Sequence, residues 1–345
     1  MNFHPLNPSE TEPHSPELAE RAARGERESQ FRLGVCYANG LGVTQDAREA
    51  VGWFRKAADQ GDVLAQCNLG LCYGRGIGIE YDGEAAVRWC RKAAEQGDAL
   101  AQRSLGVAYE QGIGVEKDEC EAVRWYRMAA EQGYAEAQTC LGICFDSGAG
   151  VAKDAREAFG WYRRAAEQHD SRAQCLLGLC YSMGEGTAKN ELDAVRWYRV
   201  AAEQGDANAQ VLLGVCYESG LGNEMDKNEA MHWYLEAAKQ GHATAQCSVG
   251  SCYANGVGVG RDEQEAVRWF REAAAQGHAE AQFNLGCCYM NGAGVEENVR
   301  EARRWLRKAA DQGLPEALRV LAVNETSRAR SFGTVRGSPA VWRPH

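Results

Sequence analysis

Tryptophan returns every 36 residues along this chain, at Trp53, Trp89, Trp125, Trp161, Trp197, Trp233, Trp269 and Trp305. A Leu-Gly pair keeps the same interval, at Leu33-Gly34, Leu69-Gly70, Leu105-Gly106, Leu141-Gly142, Leu177-Gly178, Leu213-Gly214 and Leu285-Gly286, with Val249-Gly250 in the remaining copy. Eight in-phase copies mean one supersecondary unit stacked in a row, each copy resting on its neighbours. The two or three globular domains usual for 345 residues are not what this spacing describes.

One copy, residues 62–97, reads as two helices. Asp62 precedes Ala65, Leu69, Cys72 and Tyr73, which share one apolar helical face. Gly76 and Gly78 stop that helix by supplying positive φ angles. Asp82 then caps a second helix, as do Asp46, Asp118, Asp154, Asn190, Asp226, Asp262 and Asn298 in the other copies. An acid three residues on, such as Glu49, Glu121, Glu157, Glu229 or Glu265, completes a capping box that Ala85 breaks in the second copy. Ala86, Trp89 and Ala93 form the buried face. The recurring Ala-Ala pair (Ala57-Ala58 to Ala309-Ala310) admits the next helix closely, while tryptophan fills the wedge between repeats. Gly97 and its equivalents end the second helix, with His169 in place of glycine in the fourth copy. Gly70 and its equivalents sit inside a helix, where glycine costs roughly 1 kcal/mol against alanine. Their persistence implies a backbone contact that no Cβ would fit.

The motif, A-Q-x-x-L-G-x-C-Y-x-x-G-x-G-V-x-x-D-x-x-E-A-V-x-W-x-x-x-A-A-x-Q-G, resembles the Sel-like repeat family, relatives of the tetratricopeptide repeat, over residues 26 to 323. The resemblance implies an all-α fold, a right-handed α/α superhelical solenoid of about eight helix-turn-helix repeats. It also implies an adaptor or scaffold that binds protein, with no catalytic residue and no cofactor. Residues 1–25 are expected to be a flexible segment with a partial cap, in which Leu18 to Arg24 form a last turn or two of helix. The eight repeats take 26–313. A capping helix at 314–325 keeps Leu321 but swaps the interior glycine for Ala322, and 326–345 is an arginine-rich disordered tail.

Composition narrows the function. A net charge of −10 argues against a nucleic-acid-binding body. No apolar run is long enough to span a membrane, and no secretory signal is visible before Arg24. Of fourteen cysteines, seven share one phase, at Cys36, Cys72, Cys144, Cys180, Cys216, Cys252 and Cys288, with Ala108 in the eighth copy. Alanine as the alternative marks a small buried site. Equivalent positions about 10 Å apart in a stack exceed the roughly 7 Å Cα limit of a disulfide. Cys67/Cys72, Cys175/Cys180 and Cys247/Cys252 point to different sides of a helix. Reduced structural thiols in a cytoplasmic protein follow. A second reading comes from bacterial proteins resembling this pattern, secreted, cysteine-rich and credited with β-lactam binding or hydrolysis. They carry a cysteine pair in each repeat linking its two helices, whereas the second helices here hold only Cys90, with Cys120 near a helix start.

His242 and His278 share a phase at the inter-repeat turn and are read as surface residues, because a stack separates them too far to share a metal. Cys287-Cys288 and Cys140-x-x-x-Cys144 lack the paired spacing of zinc sites, so no metal is assigned. The arginine ladder Arg55, Arg91, Arg127, Arg163, Arg199, Arg271 and Arg307 is matched by acids four residues on at six places, predicting i,i+4 pairs on a solvated outer face.

The binding surface is sought where copies disagree. On the first helix this happens in three rows. The first is Asn68, Ser104, Cys140, Leu176, Leu212, Ser248 and Asn284. The second, mostly apolar, is Leu71, Val107, Ile143, Leu179 and Val215. The third is Arg75, Gln111, Ser147, Met183, Ser219, Asn255 and Asn291. First helices line the inner, concave wall in this repeat class, so the rows define a candidate partner-binding groove. Its Asn and Ser side chains are expected to hydrogen-bond the backbone of a bound peptide or partner helix, and the apolar row to receive side chains.

Overall fold

The computed structural model describes residues 13–322. The first twelve residues, the end of the expected capping helix and the tail at 326–345 lie outside the described residues. All regular structure among the described residues is α-helical. Helix α1 (Pro16–Ala23) precedes eight helix pairs. The first helices are α2 (Arg27–Asn39), α4 (Val63–Arg75), α6 (Ala99–Gln111), α8 (Ala135–Ser147), α10 (Ser171–Met183), α12 (Ala207–Ser219), α14 (Ala243–Asn255) and α16 (Ala279–Asn291). The second helices are α3 (Ala47–Asp59), α5 (Gly83–Glu95), α7 (Glu119–Glu131), α9 (Ala155–Glu167), α11 (Glu191–Glu203), α13 (Lys227–Lys239), α15 (Glu263–Ala275) and α17 (Val299–Asp311). Residues 315–322 are again helical. No described helix is long and apolar enough to cross a membrane.

Two compact units divide the chain, Met1–Lys189 and Asn190–His345, so the fifth pair gives α10 to the first and α11 to the second. Within each unit every helix packs on the one before it and the one after it, the serial arrangement of an α/α solenoid. Local chemistry sets the helix ends. Asp46, Asp118, Asp154, Asp226, Asp262 and Asn298 each accept two backbone N–H groups at the start of a second helix. Asp62, Asp98, Asp170 and Asp206 cap first helices in the same manner with one. Each first helix ends on a glycine at positive φ, such as Gly76 at 66° and Gly148 at 80°.

The interior glycines meet the residue after tryptophan. A Cβ on Gly142 would lie 2.5 Å from Tyr162 Cε1, and one on Gly106 2.5 Å from Tyr126 Cε1. The close contact is therefore chiefly an aromatic ring of the same repeat rather than backbone. Tyr126, Tyr162, Tyr234 and Phe54 are among the largest fully buried side chains, whereas most of the tryptophans are only half-buried. Tryptophan does join neighbouring repeats: Trp89 packs against the core of Phe31, Val35, Phe54 and Leu69.

The second glycine of the G-x-G turn has a role that the pattern alone hid. A Cβ on Gly150 would sit 2.1 Å from the Glu119 carbonyl oxygen at the start of the preceding second helix, and one on Gly114 2.0 Å from that of Gly83. These turns rest directly on the backbone of the previous repeat.

Helix α1 supplies a neighbour for the first repeat. Gln30 Nε2 donates to Ala22 O at 3.2 Å, just as Gln66 Nε2 donates to Ala58 O at 3.2 Å one repeat later. His14 N donates to Leu41 O at 2.9 Å, laying the chain along the first turn. Helix α1 is thus a shortened second helix, beginning two residues earlier than the sequence implied.

Candidate functional site

The three variable rows form a graded surface on the first helices. In the N-terminal unit Ser104, Leu71, Val107, Ile143, Leu176 and Leu179 are half-buried, while Arg75, Gln111, Ser147 and Met183 are exposed. In the C-terminal unit Leu212, Ser248 and Asn284 are half-buried, and Val215, Ser219, Asn255 and Asn291 are exposed. Asn68 departs from the expectation: it is completely buried and cannot meet a ligand. Its row faces the seam between packed helices rather than solvent, so its members are covered to varying degrees.

The hydrogen-bonding role expected of the polar row also needs correction. Ser147 Oγ donates to Ile143 O at 2.8 Å, Ser219 Oγ to Val215 O at 2.7 Å, and Asn255 Nδ2 to Ser251 O at 2.9 Å. Each side chain bonds back to the carbonyl four residues earlier in its own helix, alongside the backbone N–H that this carbonyl already accepts. What such a side chain still offers a ligand is chiefly acceptor capacity.

Two clefts open on this surface, one in each unit. The first, of about 170 Å³, has walls from α4 (Leu71, Arg75), α5 (Ala86, Val87) and α6 (Arg103, Ser104, Val107), closed by Ile113. The second, of about 160 Å³, is lined by Glu218, Thr244, Ser248, Ser251, Asn255, Glu280 and Asn284. Both are below the roughly 300–1,000 Å³ typical of small-molecule sites, and each is of a size to take one side chain. They differ in chemistry, the first apolar with two arginines and the second polar and acidic.

The arginine ladder does not behave as its spacing predicted. Arg163 Nε does meet Glu167 at 3.1 Å. Arg55, Arg91, Arg199 and Arg271 instead donate to the hydroxyls of Tyr73, Tyr109, Tyr217 and Tyr289, 18 residues on, at 2.7–3.0 Å. Arg127 stands 5.9 Å from the centre of the Phe145 ring, where the hydroxyl is lacking. A flat guanidinium lying against an aromatic ring gains cation–π attraction as well as a hydrogen bond. These five arginines tie their second helices to the first helices that follow, and the i,i+4 acids are not their main partners.

Glutamine forms a second ladder, which sequence reading quoted within the motif without assigning a role. Gln66 donates to Ala58 O of the preceding repeat and accepts from Gln96 Nε2 at 2.8 Å. The same double bond recurs at Gln102 with Gln132, Gln138 with Gln168, Gln210 with Gln240 and Gln282 with Gln312. Each first-helix glutamine is buried, and an unpaired buried amide costs about 1–3 kcal/mol. The invariance of both glutamines across the eight copies was the available signal.

None of the fourteen cysteines is in a disulfide, and ten are buried. Burial pushes Cys72, Cys90, Cys144 and Cys180 up to about 12 and Cys216 and Cys252 up to about 11, so these thiols stay protonated near neutral pH. None of them is a poised nucleophile. His242 and His278 are not plain surface residues: each caps a first helix, with Nδ1 accepting from the N–H of Ala245 and Ala281 at 3.3 Å.

The Sel1 repeat family profile matches eight consecutive segments, residues 27–62, 63–98, 99–134, 135–170, 171–206, 207–242, 243–278 and 279–314. Among solved structures the chain is similar to a protective antigen present in uropathogenic Escherichia coli strains and displaying an SLR fold, with 37% identity and a TM-score of 0.73 over 87% of this chain and 65% of that one. It is also similar to a Sel1 repeat protein from Oxalobacter formigenes, with 34% identity and a TM-score of 0.65 over 89% of this chain and 88% of that one. Comparison with curated proteins gave no match.

Proposed function

Because the chain belongs to the Sel1 repeat family, we propose that it is a non-enzymatic scaffold that holds an extended peptide or a partner helix along its first helices. The observation carrying this reading is the cleft between α4 and α6, whose walls include Leu71 and Val107. Apolar side chains held half-open in a row, at intervals of one repeat, suit a partner with apolar anchors along its length. Polar side chains at the exposed ends of the same helices line the rim. The buried thiols are held protonated, and each cleft is sized for a side chain, which favours binding over chemistry on a small substrate.

The test uses residues that the stack already accepts. Ser251 stands at the phase of Val107 and Ile143 in the seventh repeat, so Val107→Ser with Ile143→Ser removes the anchors without introducing a foreign side chain. Affinity capture from cells should lose its specific partners with this variant. Arg163→Glu, on a second helix, should leave capture unchanged. Retained capture by the double variant, with helicity intact by circular dichroism, refutes the groove.

A further inference from the structure

In three repeats the residue capping a first helix meets the same position on the first helix before it. Asp170, which caps α10, accepts from Thr139 Oγ1 of α8 at 3.1 Å. Asp98, which caps α6, lies against the Cys67 thiol of α4. The partners are 31 residues apart. In the same register the Cys247 thiol of α14 meets His278, the cap of α16, and Glu280 stands two residues on. The sulfur, a ring nitrogen and a carboxylate oxygen of these three all lie within 4.8 Å of one another. One repeat earlier the same three phases hold Val211, His242 and Thr244, a set with one ligand rather than three.

We propose that Cys247, His278 and Glu280 bind a divalent transition-metal ion of the zinc class. A thiolate, an imidazole and a carboxylate are the donors zinc takes, whereas calcium and magnesium require oxygen throughout. Bonds of about 2.0–2.3 Å at tetrahedral angles place donors roughly 3.3–3.8 Å apart, so the trio must draw in by about an ångström. Glu280 is exposed and free to swing, and Cys247 is fixed by burial. Asn284 Nδ2 lies 3.8 Å from the Cys247 sulfur and is placed to donate to a thiolate. Three protein ligands leave the fourth position to water.

Protons balance in a way that can be measured. Binding expels the Cys247 thiol proton to solvent. His278 Nδ1 is the acceptor of the Ala281 N–H, and neither ring nitrogen can ligate without losing that bond. Ligation at Nδ1 consumes its lone pair; ligation at Nε2 moves the ring proton onto Nδ1. The metal therefore exchanges the cap of α16 for a coordination bond, and the Ala281 amide reports it.

The experiment titrates Co²⁺ into the reduced, full-length protein without oxygen. Expected are one equivalent bound with thiolate-to-cobalt charge-transfer absorption, release of about one proton per metal, and a shifted Ala281 amide resonance. Cys247→Val and Glu280→Thr copy the preceding repeat, and His278→Asn keeps a capping residue of the kind that starts α11 at Asn190. All three should fold. Cys247→Val should abolish the absorption, and the other two should each weaken binding by about tenfold or more. Cys120→Ser and Cys287→Ser should leave it unchanged. Absence of charge-transfer absorption at excess Co²⁺, or absorption that survives Cys247→Val or is undiminished in His278→Asn, overturns the site.

Discussion

The Tyr162 hydroxyl is buried without a hydrogen-bond partner, and the structure shows how to give it one. Tyr126 and Tyr234, in the same place in their repeats, donate to Glu110 Oε2 at 2.8 Å and Glu218 Oε2 at 2.7 Å. The residue in phase with those acids is Asp146, one methylene shorter. Asp146→Glu should restore the bond. A hydrogen bond to a charged acceptor contributes about 1.5–3 kcal/mol, and holding a glutamate side chain in one rotamer costs up to about 1.5–2 kcal/mol. A net stabilisation of about 1 kcal/mol is expected, raising Tm by roughly 2–4 °C for a unit of this size. Urea and thermal unfolding followed by circular dichroism measure it. The matched pair is Tyr162→Phe, which removes an unpaired hydroxyl and should be close to neutral, and Tyr126→Phe, which orphans Glu110 and should cost about 1–2 kcal/mol. Equal losses for the two phenylalanine variants, with no gain from Asp146→Glu, would refute the reasoning by showing that Tyr162 is already satisfied.

Three further outcomes follow from particular backbone and capping sites. His169 is the one non-glycine residue with positive φ among the described residues, at 66°, so His169→Gly should stabilise by about 1 kcal/mol, read from the urea midpoint. Gly150→Ala should destabilise far more than Gly148→Ala, because its Cβ would lie 2.1 Å from the Glu119 carbonyl oxygen while that of Gly148 would lie 3.4 Å from the Lys153 Cβ; equal Tm losses would remove the case for backbone contact between repeats. Burial holds the His242 pKa below its ordinary 6.5, against the pull of Asp206. Its neutral form is thus favoured by folding, its contribution is complete above about 6.5 and is lost as pH falls below that value. The stability difference between the native chain and His242→Asp, whose aspartate caps like Asp206, should shift toward the variant between about pH 7 and 5.

Much of the fold is legible in residues that act on near neighbours. The beat of Trp53 through Trp305, the caps from Asp46 to Asn298 and the glycines that end each first helix work over three or four positions, and period and turn chemistry suffice to read them. The Gly142 contact was legible as a demand for space, although its cause, the Tyr162 ring, was not. The candidate site was less readable. Asn68 and Leu71 are both variable first-helix residues, yet one is sealed in a helix seam and the other borders a cleft. Arg55 had two possible partners, Asp59 four residues away and Tyr73 eighteen away, and helix stacking favoured the second. Contacts at separations of 18, 30 and 31 residues, such as Arg55 with Tyr73, Gln66 with Gln96 and Thr139 with Asp170, depend on which helix lies against which. A periodic sequence repeats every position regardless of that choice. It therefore determines the unit, its ends and its apolar faces, while the pairing of polar side chains between units, and the meeting of Cys247 with His278, is decided only when the helices pack.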